Sequence, residues 1–246
     1  MDIIKYKKLR NGKYQIITTT CTFELYEEVI LKYNLLLSKK IDDKDSILKY
    51  NKRWDIYYTA LKYLKSRTHS KKEVCDYLKK KEYPSEFIEE AILKLESQGY
   101  INDLVYARSF FNNKIITTSH GPLIIKKELQ DKGVALEIIC EVLDDYTDDI
   151  QKDKINKRIN RIITSSRGKS NKAIMLKIRN DLYKEGFSQN LINAQLQNVQ
   201  LEDDSDVYKK QYDKLYKRYS KKYSGYELEC KIKQALYQKG FSYGKD

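Results

Sequence analysis

The chain has 246 residues, 41% hydrophobic and 34% charged, with a net charge of +13 and a pI near 9.3. That balance describes modest cores better suited to several small modules than to one thick globule, and it points to an acidic partner: nucleic acid, an anionic membrane surface or an acidic assembly. Nine glycines and two prolines leave few chain breakers and favour helix over sheet. No apolar run approaches the roughly 20 residues of a membrane span, and the start MDIIKYKKLR lacks the apolar region of a signal peptide. Cys21, Cys75, Cys140 and Cys230 are scattered without metal-ligand spacing, which suits reduced thiols in a cytoplasmic protein.

Ile3–Tyr6 and Tyr14–Thr20 flank Asn11-Gly12, a hairpin signal because both turn residues tolerate positive φ. A helix is expected from Phe23 to Leu37, with Phe23, Tyr33 and Leu37 on one side together with Val29 or Ile30. A charged connection follows from Ser38 to Asp45.

Beyond it one frame recurs. Val74, Leu78, Glu82, Tyr83, Phe87, Ile88 and Ile92 return as Ile125, Leu129, Gly133, Val134, Ile138, Ile139 and Leu143, then as Ile178, Leu182, Gly186, Phe187, Leu191, Ile192 and Leu196. In each copy the first and last positions lie 18 apart, and a fourth begins at Ile232, Leu236, Gly240 and Phe241. Such register marks an internal repeat. Residues four apart share a helix face, the glycine-like position reverses the chain, and a second apolar stripe follows. Closed by a preceding helix, this makes a three-helix unit of helix-turn-helix type, with cores thin enough that neighbours support one another.

Local signals fill in the units. The first opens with a helix from about Ser46 to Arg67, apolar at Ile56, Ala60, Leu61 and Leu64. Ser70-Lys71-Lys72-Glu73 is a capping box, Ser85 is a candidate cap after Pro84, and Gly99 is a helix terminator. Asn102-Asp103 and Gly121-Pro122 start helices of the second unit. Ile155 to Ile163 is the first helix of the third unit. The acidic runs 144–149 and 202–206 mark boundaries. The expected modules are 1–45 (hairpin plus helix), 46–101, 102–149, 150–203 and 204–246, the last without its third helix.

No catalytic constellation emerges. Gly168-Lys169-Ser170 ends like a phosphate-binding loop, but its first glycine position holds Ile163. His69 and His120 are the only histidines and read as polar loop residues. The chain is therefore expected to have no catalytic or metal site and no cofactor. Basic residues cluster instead: Lys62, Lys65, Arg67, Lys71 and Lys72, then Lys79-Lys80-Lys81, then Lys126-Lys127. A net +7 lies between Val207 and Asp246, where Tyr208, Tyr212, Tyr219 and Tyr223 recur at helical spacing. Those rings suit either packing in an amphipathic helix or a base-stacking face.

Ala60-Leu61-x2-Leu64-x2-Arg67-x2-Ser70-x2-Glu73-x4-Leu78 resembles the opening repeat of the RecX regulatory proteins. Ile101-Asn102-Asp103-x2-Tyr106-Ala107, with Gly121-Pro122-x2-Ile125-x3-Leu129-x2-Lys132-Gly133, resembles the second. Leu182-Tyr183-x2-Gly186-Phe187 and Leu236-Tyr237-x-Lys239-Gly240-Phe241 are similar to the distal repeats, and the hairpin to that of longer, low-GC Gram-positive members. The resemblance implies a mainly α fold, an elongated curved array of three-helix modules with a small β-hairpin and helix cap. It also implies a cytoplasmic, monomeric modulator that binds the RecA–single-stranded-DNA filament and depresses strand exchange, ATP hydrolysis and co-protease activity. The residues expected to face RecA or DNA are Arg67, Lys71, Lys72, Lys79, Lys80, Arg108, Lys126 and Lys127. The rival reading is a helix-turn-helix DNA-binding or architectural protein that acts without RecA.

Overall fold

Residues 1–166 and 168–241 are described by the computed structural model. The expectation about a third helix in the last module falls on 242–246, outside the described residues. The fold is mainly α with one small sheet, as expected.

The Asn11-Gly12 turn joins β1 (Ile3–Lys8) to β2 (Tyr14–Thr18), antiparallel, with Gly12 at φ +82°. The chain then turns again into β3 (Thr22–Leu25), which pairs with β2. Here the expected helix from Phe23 to Leu37 is corrected. Phe23 pairs with Ile16 across the sheet, and its alternation with Leu25 (both buried, with Thr22 and Glu24 exposed) is a strand pattern of period two. Only two short helices follow, α1 (Glu27–Lys32) and α2 (Leu35–Ser38), separated where Asn34 takes a left-handed conformation at φ 51°. Leu37, expected to be inward, is 79% exposed.

Helix α3 (Lys44–Leu64) is capped by Asp43, whose side chain accepts from the Ser46 amide at 3.0 Å. It serves two cores. Ile47 joins Ile16, Leu25, Val29 and Leu35 in the sheet cluster, whereas Ile56, Tyr57 and Ala60 join Val74, Leu78, Ile88 and Leu95. Trp54, the only tryptophan, packs against both clusters, and the Lys94 ammonium lies 3.5 Å from its ring. Asp55 fastens the same seam, accepting from Lys13 Nζ at 2.8 Å and from the hydroxyls of Tyr26 and Tyr83, each at 2.9 Å. Burial would raise the Asp55 carboxyl, but the hydrogen bonds from Lys13, Tyr83 and Tyr26 hold it below its ordinary value.

The repeats follow as α4 (Lys71–Lys79) and α5 (Ser85–Ser97); α6 (Asp103–Thr117), α7 (Pro122–Asp131) and α8 (Leu136–Leu143); α9 (Asp148–Ser165), α10 (Asn171–Lys184) and α11 (Gln189–Gln197); then α12 (Ser205–Tyr219) and α13 (Gly225–Gln238). Ser70 forms the expected capping box with Glu73. Ser85 does not cap α5: it is the first helical residue, and Pro84 takes the N-cap position without a side-chain bond. The chain divides into two compact units, Met1–Ser109 with Leu129–Ile139, and Phe110–Glu128 with Cys140–Asp246.

Within these units one contact recurs. The middle helix of each repeat, at its N-terminus, donates to the carbonyl just before the turn glycine of the next repeat. Ser70 Oγ donates to Lys132 O at 2.8 Å, Gly121 N to Glu185 O at 2.6 Å, and Ser170 Oγ to Lys239 O at 2.9 Å. This explains why the turn is glycine in three repeats and Glu82 in the first. Glu82 adopts the same left-handed backbone, φ 59°, as Gly133, Gly186 and Gly240, so conformation alone does not select glycine. Close approach does: a Cβ on Gly133 would lie 2.7 Å from Lys72 Cβ, one on Gly186 2.6 Å from Ile124 Cγ1, and one on Gly240 2.7 Å from Ser170 Oγ. The first repeat's turn follows no earlier repeat, and Glu82 stands exposed.

Opposite effects are therefore expected at equivalent turns. Gly186→Ala adds a clash to left-handed strain and should cost roughly 2–4 kcal/mol. Glu82→Gly relieves the strain without needing the space and should gain up to about 1 kcal/mol after glycine's entropy cost. Urea unfolding of the two variants measures both signs.

Candidate functional site: a basic, tyrosine-rich groove and the first junction

The basic residues divide between two tasks. Around the N-terminus of α4, Arg67, Lys71 and Lys72 are drawn into the first junction. Arg67 meets Glu73 at 3.4 Å, Lys71 Nζ meets Glu96 at 3.0 Å, and Lys72 Nζ donates to Asp131 O at 2.9 Å. The Lys71 amide donates to Asp103 Oδ1 at 2.8 Å, so the aspartate beside the Asn102 cap holds another helix. Asn102 itself accepts from the Leu104 and Val105 amides at 3.0 and 3.1 Å.

Glu73 is the hub of this junction. Its side chain is 13% exposed and lies 2.7 Å from Lys132 Nζ, with His69 Nδ1 at 3.3 Å. Burial would raise the Glu73 carboxyl, but Lys132 and Arg67 hold it down at about 2. His69 lies in the loop before α4, as expected from sequence, but it is not solvated there. It is 4% exposed, stacked on Tyr63 at 3.9 Å, and its ring is held below its ordinary value by burial and by Arg67. Ser66 Oγ lies 3.3 Å from His69 Nε2, which gives the chemical order Ser–His–Glu. The Ser66 hydroxyl also donates back to Tyr63 O at 3.0 Å, and Glu73 is committed to Lys132 and Arg67. A triad carboxylate orients its histidine alone; this one cross-links a junction.

The groups not consumed in this way line a groove in the same unit. Two cavities of about 800 and 410 Å³ adjoin through shared Thr59 and Lys62. Lys62 projects from α3, Lys65 caps its end and Lys81 follows α4, none of them in an ion pair among the described residues. Tyr26, Tyr58 and Tyr100 line one part, and Tyr63, Tyr77 and Tyr83 the other. Tyr63 and Tyr77 stack at 4.0 Å, and Lys81 stands 5.5 Å from the Tyr77 ring. Tyr63 is covered by His69 and Tyr77 and Tyr26 is buried, so the exposed rings of Tyr58 and Tyr100 are the ones that can stack on bases, while the unpaired ammonium groups can neutralise phosphates.

Of the remaining expected residues, Lys79 and Lys80 are exposed at the end of α4, the other end from Arg67, Lys71 and Lys72. Arg108 is exposed on α6, and on α7 Lys127 is exposed and Lys126 half-buried. Of the eight, Arg67, Lys71 and Lys72 gather at the first junction. Lys62, Lys65 and Lys81 stood in the same sequence clusters; the signal that separates them is the tyrosine beside or near each, Tyr63, Tyr77 and Tyr83. The four tyrosines singled out near the C-terminus are packing residues: Tyr208, Tyr212 and Tyr219 of α12 and Tyr223 after it pack against the cluster of Leu215, Leu228, Ile232, Leu236 and Phe241. No group of three or more potential ligands able to hold a metal occurs among the described residues.

Taken together, the chain is a repeat protein of three-helix modules whose exposed chemistry is that of a binding surface. Residues 57–95 match the RecX first three-helix domain, 102–143 the second and 202–244 the third. Helices α9–α11 stand between the second and third matches. Regulatory protein RecX of Oceanobacillus iheyensis is 33% identical, covering 98% of this chain and 93% of that protein. Its counterpart in Listeria monocytogenes (serovar 1/2a) is 31% identical over 98% and 91%. A crystal structure of regulatory protein RecX superposes with a TM-score of 0.71 at 26% identity, over 78% of this chain and 97% of that one. RecX from Lactobacillus salivarius does so with a TM-score of 0.58 at 30% identity, over 61% and 97%. The chain belongs to the RecX family.

The junction predicts a pH dependence. Glu73 has a folded value of about 2 against an ordinary value of 4.5, so its contribution is complete above about pH 5 and is lost as the pH falls from 4.5 to 2. His69, depressed in the fold, costs stability as the pH falls below 6.5, where the unfolded ring takes up a proton. Glu73→Gln should destabilise the protein by about 3 kcal/mol at pH 7 and much less at pH 3. Urea midpoints of both proteins between pH 7 and 3 should converge.

Proposed function

We propose that this protein binds the RecA–single-stranded-DNA filament and inhibits the recombinase, its ATP hydrolysis and its co-protease activity. The observation that carries this reading is near full-length membership of a family of regulatory proteins, joined to a net charge of +13 and a basic, tyrosine-lined groove in the first unit. The protein acts by binding, without catalysis or a cofactor of its own, as a cytoplasmic monomer. Among the described residues no helix is long and apolar enough to cross a membrane. The modules 1–45, 46–101, 102–149, 150–203 and 204–246 are the units that space its contacts along the filament.

Lys79, Lys80, Arg108, Lys126 and Lys127 remain proposed contacts, joined by Lys62, Lys65 and Lys81 in the groove. Arg67, Lys71 and Lys72 contribute to the same field, and the ion pairs of the first two and the bond from Lys72 to the Asp131 carbonyl make them structural as well. Charge supplies encounter rate and salt sensitivity, while several modules engaged at once favour a filament over isolated strands. α5 begins with Ser85 and Glu86, an acidic first turn that does not suit reading base edges by that helix.

RecA-catalysed ATP hydrolysis on single-stranded DNA should fall with substoichiometric protein. A triple charge reversal, Lys62→Glu, Lys65→Glu and Lys81→Glu, should weaken inhibition at least about tenfold and reduce the log–log salt slope by about 2. Undiminished hydrolysis with filaments intact by electron microscopy refutes the inhibitor reading. Tight duplex binding without RecA would support the rival reading.

A further inference from the structure

The first and third junctions are built alike at the N-terminus of the middle helix, and they differ in charge. Ser70 and Ser170 both accept from the third helical amide, Glu73 N at 3.1 Å and Ala173 N at 3.2 Å. Both donate to the carbonyl before the next turn glycine, at 2.8 and 2.9 Å. An aspartate holds the first helical amide in each, Asp103 on Lys71 N at 2.8 Å and Asp204 on Asn171 N at 2.7 Å. The third helical position is Glu73 in one and Ala173 in the other.

The consequence is visible on the lysine before the glycine. Lys132 meets the Glu73 carboxylate at 2.7 Å. Its counterpart Lys239 turns to the neutral Gln211, with Nζ donating to Oε1 at 2.7 Å. Where the first junction is filled by a carboxylate, the third leaves a cavity of about 620 Å³, bordered by Lys169, Lys172 and Lys239 and walled by Leu176, Tyr237 and Phe241. Among the described residues no aspartate or glutamate is in its lining, and Lys169 and Lys172 meet no carboxylate. Leu176 is 59% exposed at its edge. Lys169, Lys172 and Lys239 thus set positive charge beside an apolar wall.

We propose that this cavity binds a carboxylate brought by an acidic peptide segment of a partner protein, with an aliphatic or aromatic residue beside the acid. A carboxylate is the group that the chain itself places at the equivalent position. The apolar wall selects a peptide over a bare phosphate, because a leucine or phenylalanine next to the acid covers Leu176 and Phe241 as it docks. The site goes beyond the proposed filament binding, and its test uses neither RecA nor ATP.

The test uses the full chain and a fluorescein-labelled peptide of sequence Asp-Glu-Leu-Phe-Glu-Asp, read by fluorescence anisotropy. Saturable binding is expected. It should weaken at least about tenfold for the amide peptide Asn-Gln-Leu-Phe-Gln-Asn, and equally for the Lys239→Gln variant. Ala173→Glu should lose the peptide to the same extent while melting at a higher temperature, because the new carboxylate completes a capping box with Ser170 and gives Lys239 a partner. No saturable binding to the wild type overturns the proposal, as does binding unchanged in Lys239→Gln or Ala173→Glu. Displacement of the peptide by inorganic phosphate or by oligothymidylate, with the oligonucleotide lost in the same two variants, also overturns it, assigning the cavity to phosphate. Should Ala173→Glu fail to fold, Lys239→Gln and the amide peptide still decide the question.

Discussion

A single hydrogen-bonded approach governs the architecture: the N-terminus of one repeat's middle helix against the carbonyl that precedes the next repeat's turn. It satisfies a backbone acceptor at a helix C-terminus, where the last carbonyls have no partner within the helix. It also brings two backbones so near that a side chain on the turn has no room. The hydroxyls of Ser70 and Ser170 each act twice, accepting within their own helix and donating to the next repeat. In the second repeat Gly121 makes the same approach with its amide, and Leu123 N adds a bond to Gly186 O at 3.1 Å. Two different residue choices, serine at two junctions and glycine at one, keep one geometry.

The junctions also decide what the positive charge is available to do. At the first, Arg67 and Lys132 are neutralised by Glu73, and the Lys72 stem lies against Gly133. At the third, alanine takes the place of that glutamate, and among the described residues Lys169, Lys172 and Lys239 meet no carboxylate. Burying a carboxylate costs desolvation, which is repaid only when cations and hydrogen bonds surround it. The first junction meets that condition.

The helical repeat was legible because its signals are local. Periodicity four apart, Ser70 with Glu73, Asn102, Gly121-Pro122 and Gly99 each act within a few residues, and each is in place. The exchange of helix for strand at Phe23 escaped because a four-residue strand carries little period, and the pairing of Phe23 with Ile16 is tertiary information. His69 escaped for a related reason. Its partner Glu73 lies one turn away, but the Lys132 that fixes Glu73 comes from the next repeat, 59 positions along the chain. The basic clusters were visible, yet a list of lysines does not say which are already paired. That sorting, which takes Arg67 and Lys71 into ion pairs and leaves Lys62, Lys65 and Lys81 open, requires the fold.

Trp54 adds a spectroscopic consequence. One indole, lodged between the sheet cluster and the first repeat's core with an ammonium against its face, is the chain's only strong intrinsic fluorophore. Its emission reports whether the seam held by Asp55 is closed. The unit carrying the third and fourth repeats has tyrosines but no tryptophan of its own. Loss of structure there can leave the indole signal unchanged while circular dichroism falls. A lag between the two signals would reveal separate melting of the units, and would show that a single unfolding free energy is not defined for the whole chain.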